Sequence, residues 1–194
     1  MNKHDLPNGL VLLGGRSSRM GEDKSRLVYH AKPQRNHLAE LLRPYCHQIY
    51  WSVNARQWMD LTEAEQAMSI VDAYNLNSPL DGILSAFLCN STRAWFVVAC
   101  DMPLLTSRSL NALRSGRDPE KLATVFFDSD GLLPEPLLGI YEPAFNPVAW
   151  QAVENGQMSP RKILLHNPVQ LLTAPDPREL TNANDPATRM RLRP

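Results

Sequence analysis

The sequence predicts an α/β fold in which helices cover both faces of a mostly parallel central sheet. Short apolar runs of strand length alternate with segments whose apolar residues recur at helical spacing. Strands that are apolar at nearly every position are typical of parallel sheets buried on both faces. Polar residues follow directly after these runs, and an open parallel sheet binds its ligands beyond the carboxyl ends of its strands.

The first half of the chain is the more regular. Strands are predicted at residues 10–13, 49–53, 69–71 and 95–100, and helices at residues 34–45, 60–68 and 79–89. In the last of these helices, Leu80, Ile83, Leu84 and Phe87 recur at the three- and four-residue spacing of one buried face. This order predicts consecutive strand–helix–strand units in one sheet.

The second half is richer in connections. Helices are predicted at residues 107–113, 147–154 and 160–165, and extended segments at residues 123–127, 137–141 and 169–173. Two of these helices have proline near their start, where the missing N–H costs nothing. The 194 residues fit a single domain, 1–194, with a sizeable core.

Composition excludes several classes of protein. The chain has 20 basic and 20 acidic residues, so a broad nucleic-acid or membrane surface is not expected. No apolar stretch approaches the roughly 20 residues of a membrane span, and no secretory signal is recognised. Cys46, Cys89 and Cys100 are too widely spaced for a C-x-x-C site and are interpreted as core residues. These features predict a cytoplasmic protein.

A glycine-rich loop follows the first predicted strand. It contains Gly14, Gly15, Arg19 and Lys24, with Arg16 and two serines between them. Glycines let backbone N–H groups approach an anion, and the cations offset its charge. The spacing fits neither the P-loop nor the dinucleotide fingerprint. The loop therefore predicts a phosphate site of another kind, and the alternative is a flexible polar connection.

Three further strands end in residues with side chains suited to a nucleotide site. Asp101 follows the fourth strand, where a carboxylate can hold Mg²⁺ together with water and phosphate oxygens. The alternative for Asp101 is a helix cap or a turn before Pro103. Asn54 and Asp72 follow the second and third strands and can bond the edge of a base. Both of them can equally be turn residues.

These motifs together resemble the MobA-like family of nucleotidyltransferases, the molybdenum cofactor guanylyltransferases. The resemblance covers nearly the whole chain. It rests on Leu12-Leu13-Gly14-Gly15, Ser18-Arg19-Met20-Gly21, Asp23-Lys24, Lys32-Pro33, His37, Val53-Asn54-Ala55, Asp72, Ser78-Pro79-Leu80-Asp81-Gly82, Cys100-Asp101-Met102-Pro103, Pro136-Leu137-Leu138 and Asn182-Ala183-Asn184-Asp185-Pro186. It implies a three-layer, Rossmann-like nucleotidyltransferase fold with a nucleotide-binding half at residues 1–103 and an acceptor-binding half at residues 104–194.

The resemblance also implies which residues act. The nucleotide contacts expected from it are Leu12, Leu13, Gly14, Gly15, Lys24, Asn54, Asp72 and Asp101, with Asp101 also holding Mg²⁺. Arg19 and Lys24 are expected to offset the charge that builds on pyrophosphate. The second half is expected to receive the pterin. Arg161 and Lys162 are candidates for its phosphate, although they can equally be solvated cations beyond a Ser159 cap, and Asn182 and Asn184 either bond the pterin or order the tail.

The implied reaction transfers GMP from GTP to the terminal phosphate of molybdopterin. Cytidylyl transfer to molybdopterin and nucleotidyl transfer to a sugar phosphate or another small phosphate are the alternatives. A third alternative is a non-catalytic protein that binds a nucleotide and hands on the cofactor. Neither a nucleic acid nor a membrane is expected as a partner, whereas transient contacts with molybdenum-cofactor biosynthetic proteins or apoenzymes are.

Overall fold

A computed structural model describes residues 5–13 and 31–183 of the chain. The predicted phosphate loop, with Gly14, Gly15, Arg19 and Lys24, lies outside the described residues, as does Asn184. Among the described residues, no helix has the length and the apolar character needed to cross a membrane.

The described strands form one seven-stranded sheet in the order β3-β2-β1-β4-β6-β5-β7. They are β1 (Asn8–Leu12), β2 (Ile49–Val53), β3 (Ser69–Val71), β4 (Trp95–Ala99), β5 (Ala123–Phe127), β6 (Pro134–Tyr141) and β7 (Gln170–Leu172). Strand β6 is antiparallel to both of its neighbours, β4 and β5, whereas every other pairing in this sheet is parallel. The carboxyl ends of the six parallel strands therefore share one edge with the amino end of β6.

Within residues 5–13 and 31–183, seven α-helices lie between or beside these strands. They are α1 (Gln34–Leu42), α2 (Ala55–Met59), α3 (Glu63–Gln66), α4 (Pro79–Cys89), α5 (Ser107–Ser115), α6 (Phe145–Glu154) and α7 (Pro160–Leu165). Helix α4 has the predicted bounds because Ser78 Oγ accepts a hydrogen bond from Leu80 N and Pro79 occupies the first position. Helix α1 ends earlier than predicted, and a 3₁₀ turn that contains Pro44 follows it.

Two apolar clusters lie on opposite faces of the sheet, because alternate strand residues point to opposite sides. On one face, Val11 and Leu13 pack with Leu38 of α1 and Leu110 of α5. On the other face, Leu10 packs with residues of α4, α6 and α7. The predicted three-layer α/β fold with a mostly parallel central sheet is confirmed. The division into halves at residue 103 stays a prediction.

Two predictions about the chain are wrong. The single helix expected at residues 60–68 is replaced by α2 and α3, since Asn54 and Thr62 each begin a helix with a reciprocal capping box. Cys89 is exposed, although Cys46 and Cys100 are buried as predicted. The buried face of α4 ends with Phe87, so the next two residues of the helix, Leu88 and Cys89, point towards solvent.

Candidate active site

The edge formed by the carboxyl ends of the parallel strands carries most of the predicted site residues that the structure describes. Leu12 ends β1 and Leu13 follows it, and their side chains are buried on opposite faces of the sheet. These two leucines can therefore offer only backbone groups to a ligand. Leu13 N already donates a 3.0 Å hydrogen bond to Ser52 O, and Cys100 N donates to Leu12 O at 3.1 Å.

Asn54 follows β2 and caps α2. Its Oδ1 accepts a 2.9 Å hydrogen bond from Gln57 N, and Asn54 N donates to Gln57 Oε1 at 3.1 Å. Gln57 Nε2 donates in turn to Leu13 O at 3.3 Å. Asn54 is thus the turn residue that the sequence allowed, exposed and tied through Gln57 to the end of β1, and its contact with a nucleotide stays a prediction.

Asp72 follows β3 and is partly buried beside β2. Ser52 Oγ donates a 2.7 Å hydrogen bond to Asp72 Oδ1, and Asp72 N donates to Val53 O at 2.8 Å. Burial raises the pKa of Asp72 to about 6; the Ser52 hydroxyl opposes this shift, and the negative charge of Asp81 adds to it. Asp72 is therefore a hydrogen-bond acceptor that is ionised at neutral pH and becomes protonated as the pH falls through about 6.

Asp101 lies in the turn after β4, and several elements hold this turn. Gln34 Nε2 from α1 donates a 3.2 Å hydrogen bond to Met102 O. Ala183 N donates a 2.7 Å hydrogen bond to Asp101 O, which brings residues 181–183 against the end of β4. The neighbouring Asn182 has a buried Oδ1 that accepts no hydrogen bond from the described residues. The segment that contains Asn182 thus lies against the end of β4, whereas the expected contacts of Asn182 with a pterin stay a prediction.

Glu135, at the start of β6, is a carboxylate that the sequence did not single out. Val98 pairs with Leu138 across β4 and β6, and the same register continued by three residues sets Asp101 opposite Glu135. Only 4 % of Glu135 is exposed. Burial raises its pKa, hydrogen bonding from Leu137 N and the charge of Arg161 oppose this shift, and the charges of Asp101 and Asp128 add to it.

Arg161 of α7 joins this group of carboxylates. Its Nη2 donates to Glu135 Oε2 at 3.3 Å, and its Nη1 donates to Asp128 Oδ2 at 3.2 Å. Asp128 follows β5 and also accepts hydrogen bonds from two backbone N–H groups of the β5–β6 hairpin. Arg161 thus reaches the predicted edge, where it compensates two protein carboxylates and keeps about a third of its side chain exposed.

Lys162 is exposed on the same helix. Ser159 Oγ accepts a 3.4 Å hydrogen bond from Lys162 N, so the capping role considered for Ser159 is confirmed. The two neighbouring cations therefore differ in their surroundings, since Arg161 turns into the site and Lys162 faces solvent.

The donor set at Asp101 fits a hard cation. Mg²⁺ binds oxygen ligands and usually takes one or two carboxylates, with water and substrate phosphates completing its shell. Asp101 provides a carboxylate, and Asn182, whose buried Oδ1 accepts no hydrogen bond from the described residues, precedes the residue whose N–H binds Asp101 O. Within the described part of the chain, no group of three or more His, Cys, Asp or Glu residues could form an all-protein metal site. A site completed by substrate oxygens matches this composition.

Sequence reasoning missed Ser52, Asp128 and Glu135. Asp128 follows a predicted strand, as Asp72 and Asp101 do, so the rule that found those two residues also applies to it. Glu135 precedes the predicted extended segment at residues 137–141, and only the antiparallel direction of β6 brings the start of this strand to the site edge. Ser52 lies inside β2 and is buried, where a serine in an apolar run gives no signal of its own.

Comparisons with known proteins agree on one family. Residues 9–170 match the model of the MobA-like NTP transferase domain. The chain is 35 % identical over 185 residues to the molybdenum cofactor guanylyltransferase of Pseudomonas syringae pv. syringae, covering 91 % of this chain and 88 % of that protein. It is 32 % identical over 178 residues to the molybdenum cofactor biosynthesis bifunctional protein of Synechocystis, covering 92 % of this chain and only 51 % of that protein.

A solved structure has the same fold. The molybdopterin-guanine dinucleotide biosynthesis protein A from Archaeoglobus fulgidus superposes with a TM-score of 0.79 at 22 % identity. The match covers 96 % of each chain. At this identity the likeness establishes the shared architecture.

Proposed function

Since the chain belongs to the MobA-like NTP transferase family, we propose that it transfers GMP from GTP to the terminal phosphate of molybdopterin, with release of pyrophosphate. The observation that carries this proposal is the 35 % identity, over 91 % of the chain, to a protein named molybdenum cofactor guanylyltransferase. The position of Asp101 beside Asn182, at the edge that also carries Asn54 and Asp72, supports it.

The nucleotide is held by the ends of β1, β2 and β3 in this proposal. Guanine presents a ring N–H and an exocyclic amine side by side, and a carboxylate can accept hydrogen bonds from both. Asp72 is the carboxylate at the end of β3, and Asn54 and the backbone carbonyl groups of Leu12 and Leu13 are further polar groups at these strand ends. The roles of Gly14, Gly15, Arg19 and Lys24 towards the phosphates stay predictions from the sequence.

Asp101, with the side-chain oxygen of Asn182, would hold Mg²⁺. The ion would supply positive charge to the phosphate oxygens and help to align the reacting groups. The chain's own contribution is to fix the two oxygen donors. It does so through the backbone hydrogen bond between Ala183 N and Asp101 O and through the turn held by Gln34.

The chemical step forms one P–O bond and breaks another. An oxygen of the acceptor phosphate attacks the α-phosphorus of GTP, and the bond from this phosphorus to the bridging oxygen of pyrophosphate breaks. A phosphate monoester is largely dianionic at neutral pH, so the step needs no general base. Catalysis then rests on positioning and on compensation of charge. Arg161, Lys162, Asn182 and Asn184 are the candidate contacts for the acceptor.

The test is pyrophosphate release from each NTP in the presence of Mg²⁺, with and without molybdenum-loaded molybdopterin. Release from GTP that depends on the pterin supports the proposal. Release from CTP keeps the reaction and changes the base, and release only with a sugar phosphate changes the acceptor. Binding of GTP without turnover under every condition would favour a non-catalytic cofactor-handling protein. The cytoplasmic location and the contacts with biosynthetic proteins or apoenzymes stay predictions.

A further inference from the structure

Asp81, in the first turn of α4, is a buried carboxylate directed at the loop that follows Asp72. Only 4 % of Asp81 is exposed, and no ion pair among the described residues includes it. Its Oδ1 accepts a 3.1 Å hydrogen bond from Tyr74 N, and its Oδ2 accepts one of 2.8 Å from Leu76 N. A buried carboxylate without a cation depends on such donors, because it has given up its water.

Ser85, one turn further along α4, extends this network to the residue next to Asp72. Ser85 Oγ donates a 3.2 Å hydrogen bond to Asp81 Oδ1 and accepts one of 2.9 Å from Ala73 N. Together, Asp81 and Ser85 bind the backbone N–H groups of Ala73, Tyr74 and Leu76. Three of the first four residues after Asp72 are therefore held by two side chains of one helix.

The loop turns sharply at two asparagines. Asn75 and Asn77 have φ angles of 55° and 52°, in the left-handed region that asparagine adopts more readily than most residues with a side chain. Capping of α4 does not require Asp81, since Ser78 Oγ already accepts from Leu80 N. The hydrogen bonds of Asp81 are therefore directed at the loop rather than at its own helix.

The same loop also contacts the second half of the chain. The rings of Tyr74 and Trp150 of α6 meet edge to face, with centroids 4.6 Å apart. Ser78 Oγ donates a 2.5 Å hydrogen bond to Met158 O, in the segment before α7. The position of residues 73–78 is therefore defined from α4 on one side and from the α6–α7 region on the other.

We propose that Asp81 is a positioning residue for the guanine base of the nucleotide. It fixes the loop after β3 through Tyr74, Leu76 and Ser85, and so holds Asp72 in the orientation that receives the nucleotide. This inference rests on the proposed nucleotide-binding role of Asp72. Asp81 itself faces the loop backbone and does not touch the substrate. Removing its charge also lowers the pKa of Asp72, because Asp81 is one of the two causes that raise it.

The main test compares Asp81→Asn with the wild-type protein. The asparagine keeps the shape of the side chain but turns one acceptor into a donor that faces an N–H group. We expect the Kd for GTP to rise about tenfold and kcat at saturating GTP to change less than about twofold, since the phosphate and metal contacts are held elsewhere. Hydrogen exchange at the Tyr74 and Leu76 amides should become faster.

Two further variants keep the test sharp. Ser85→Ala removes the hydrogen bond to Ala73 N with little risk to folding, because Ala73 is exposed and water can accept a hydrogen bond from its N–H. We expect a rise in the Kd for GTP that is smaller than in Asp81→Asn. Asp118→Asn is the matched control. The carboxylate of Asp118 accepts a backbone hydrogen bond from Glu120 N, in the α5–β5 connection that leads to the opposite edge of the sheet. It should leave the Kd for GTP unchanged.

The pH profile distinguishes positioning from general damage. In the wild-type protein, GTP affinity should fall as the pH drops through about 6, where Asp72 protonates. In Asp81→Asn this fall should move to lower pH. If Asp81→Asn leaves both the Kd for GTP and the hydrogen exchange at Tyr74 and Leu76 unchanged, this inference is overturned and the proposed function is not affected. A wild-type protein that binds no nucleotide overturns the proposed function and this inference with it.

Discussion

The Ser52 hydroxyl donates a 2.7 Å hydrogen bond to Asp72 and so joins the carboxyl ends of β2 and β3. Ser52 is buried, and Asp72 lies at the boundary between the core and the site edge. The pair therefore combines a structural contact with a carboxylate that the proposed reaction needs. Burial raises the pKa of Asp72, since it favours the protonated acid, and the Ser52 hydroxyl opposes this shift.

Asp72→Asn should make the protein more stable and a weaker nucleotide binder. Because the pKa of Asp72 is about 6 in the folded state and lower in the unfolded chain, folding is favoured by protonation, and this contribution is lost as the pH rises through 6. The neutral amide avoids that loss, so the free energy of unfolding at pH 8 should rise by on the order of 1 kcal/mol. Urea unfolding at pH 8 and at pH 4.5 measures the gain, which should be clearly smaller at the lower pH. An equal gain at both pH values would exclude this cause.

Gly82→Ala, in α4, should disturb the hydrogen-bonded pair of Ser52 and Asp72. A Cβ on Gly82 would overlap Ser52 Oγ and lie 2.9 Å from Leu12 Cδ2. We expect a loss of about 2 kcal/mol, on the scale of overpacking in a core, and weaker GTP binding. Thermal unfolding measures the loss. Ser52→Ala combined with Gly82→Ala should recover part of it, because the hydroxyl that meets the new methyl group is gone.

Asp101→Asn should abolish Mg²⁺-dependent turnover and leave the fold intact. The amide keeps the shape of the side chain but not the charge that a hard cation requires. Pyrophosphate release measured against Mg²⁺ concentration tests this, with thermal unfolding as the check on folding. Asp118→Asn, far from the site edge, serves as the matched control. Retained activity with the same dependence on Mg²⁺ would count against Asp101 as the metal ligand.

Arg161→Gln should destabilise the protein most at high pH. The substitution leaves Glu135 buried without its cation, at a cost of about 1 kcal/mol for a partly exposed arginine. Burial already raises the pKa of Glu135, and loss of Arg161 raises it further, so the cost disappears as the pH falls and the carboxyl protonates. Lys162→Gln should leave stability unchanged.

Acceptor kinetics separate two roles for Arg161. If Arg161 also binds the acceptor phosphate, Arg161→Gln raises the KM for molybdopterin even after Glu135→Gln restores stability. If the KM in that double variant matches the wild-type value, Arg161 only compensates Glu135 and Asp128.

Lys24→Ala should lower turnover by about 10²-fold or more. This is the scale of losing one preorganised charge contact to a transition state. The expectation rests on the sequence, because Lys24 lies outside the described residues. Single-turnover measurements with saturating GTP and pterin test it. A folded variant with near-normal turnover would show that the lysine is not part of the phosphate site.

Local signals explain which parts of the fold were predictable. Helix α4 has its predicted bounds because Ser78 and Pro79 mark its start within the sequence itself. The capping boxes that divide residues 55–66 into two helices were also local, as Asn54 with Gln57 and Thr62 with Glu65. The single helix predicted at residues 60–68 rests instead on apolar spacing, which is uninformative for helices this short.

The site residues, too, were predictable only where the signal lies within a short stretch of sequence. Asn54, Asp72 and Asp101 could be found because each follows its own strand. The partners of Arg161 lie 33 and 26 residues earlier in the chain, and only the pairing of β4, β5 and β6 brings them to it. Strand direction is a property of the whole sheet, so no window around Glu135 predicts its position.

The reversed strand β6 has a consequence for how the acceptor side can diversify. A parallel strand reaches the site edge through a long crossover, and changing that crossover moves a helix packed on the core. Strand β6 starts instead from a short hairpin, and Leu132 and Leu133 at its tip are exposed. Residues can be added or exchanged in that hairpin while every helix stays in place. A different acceptor could therefore be accommodated at this hairpin without a change in the strands and helices that form the nucleotide side.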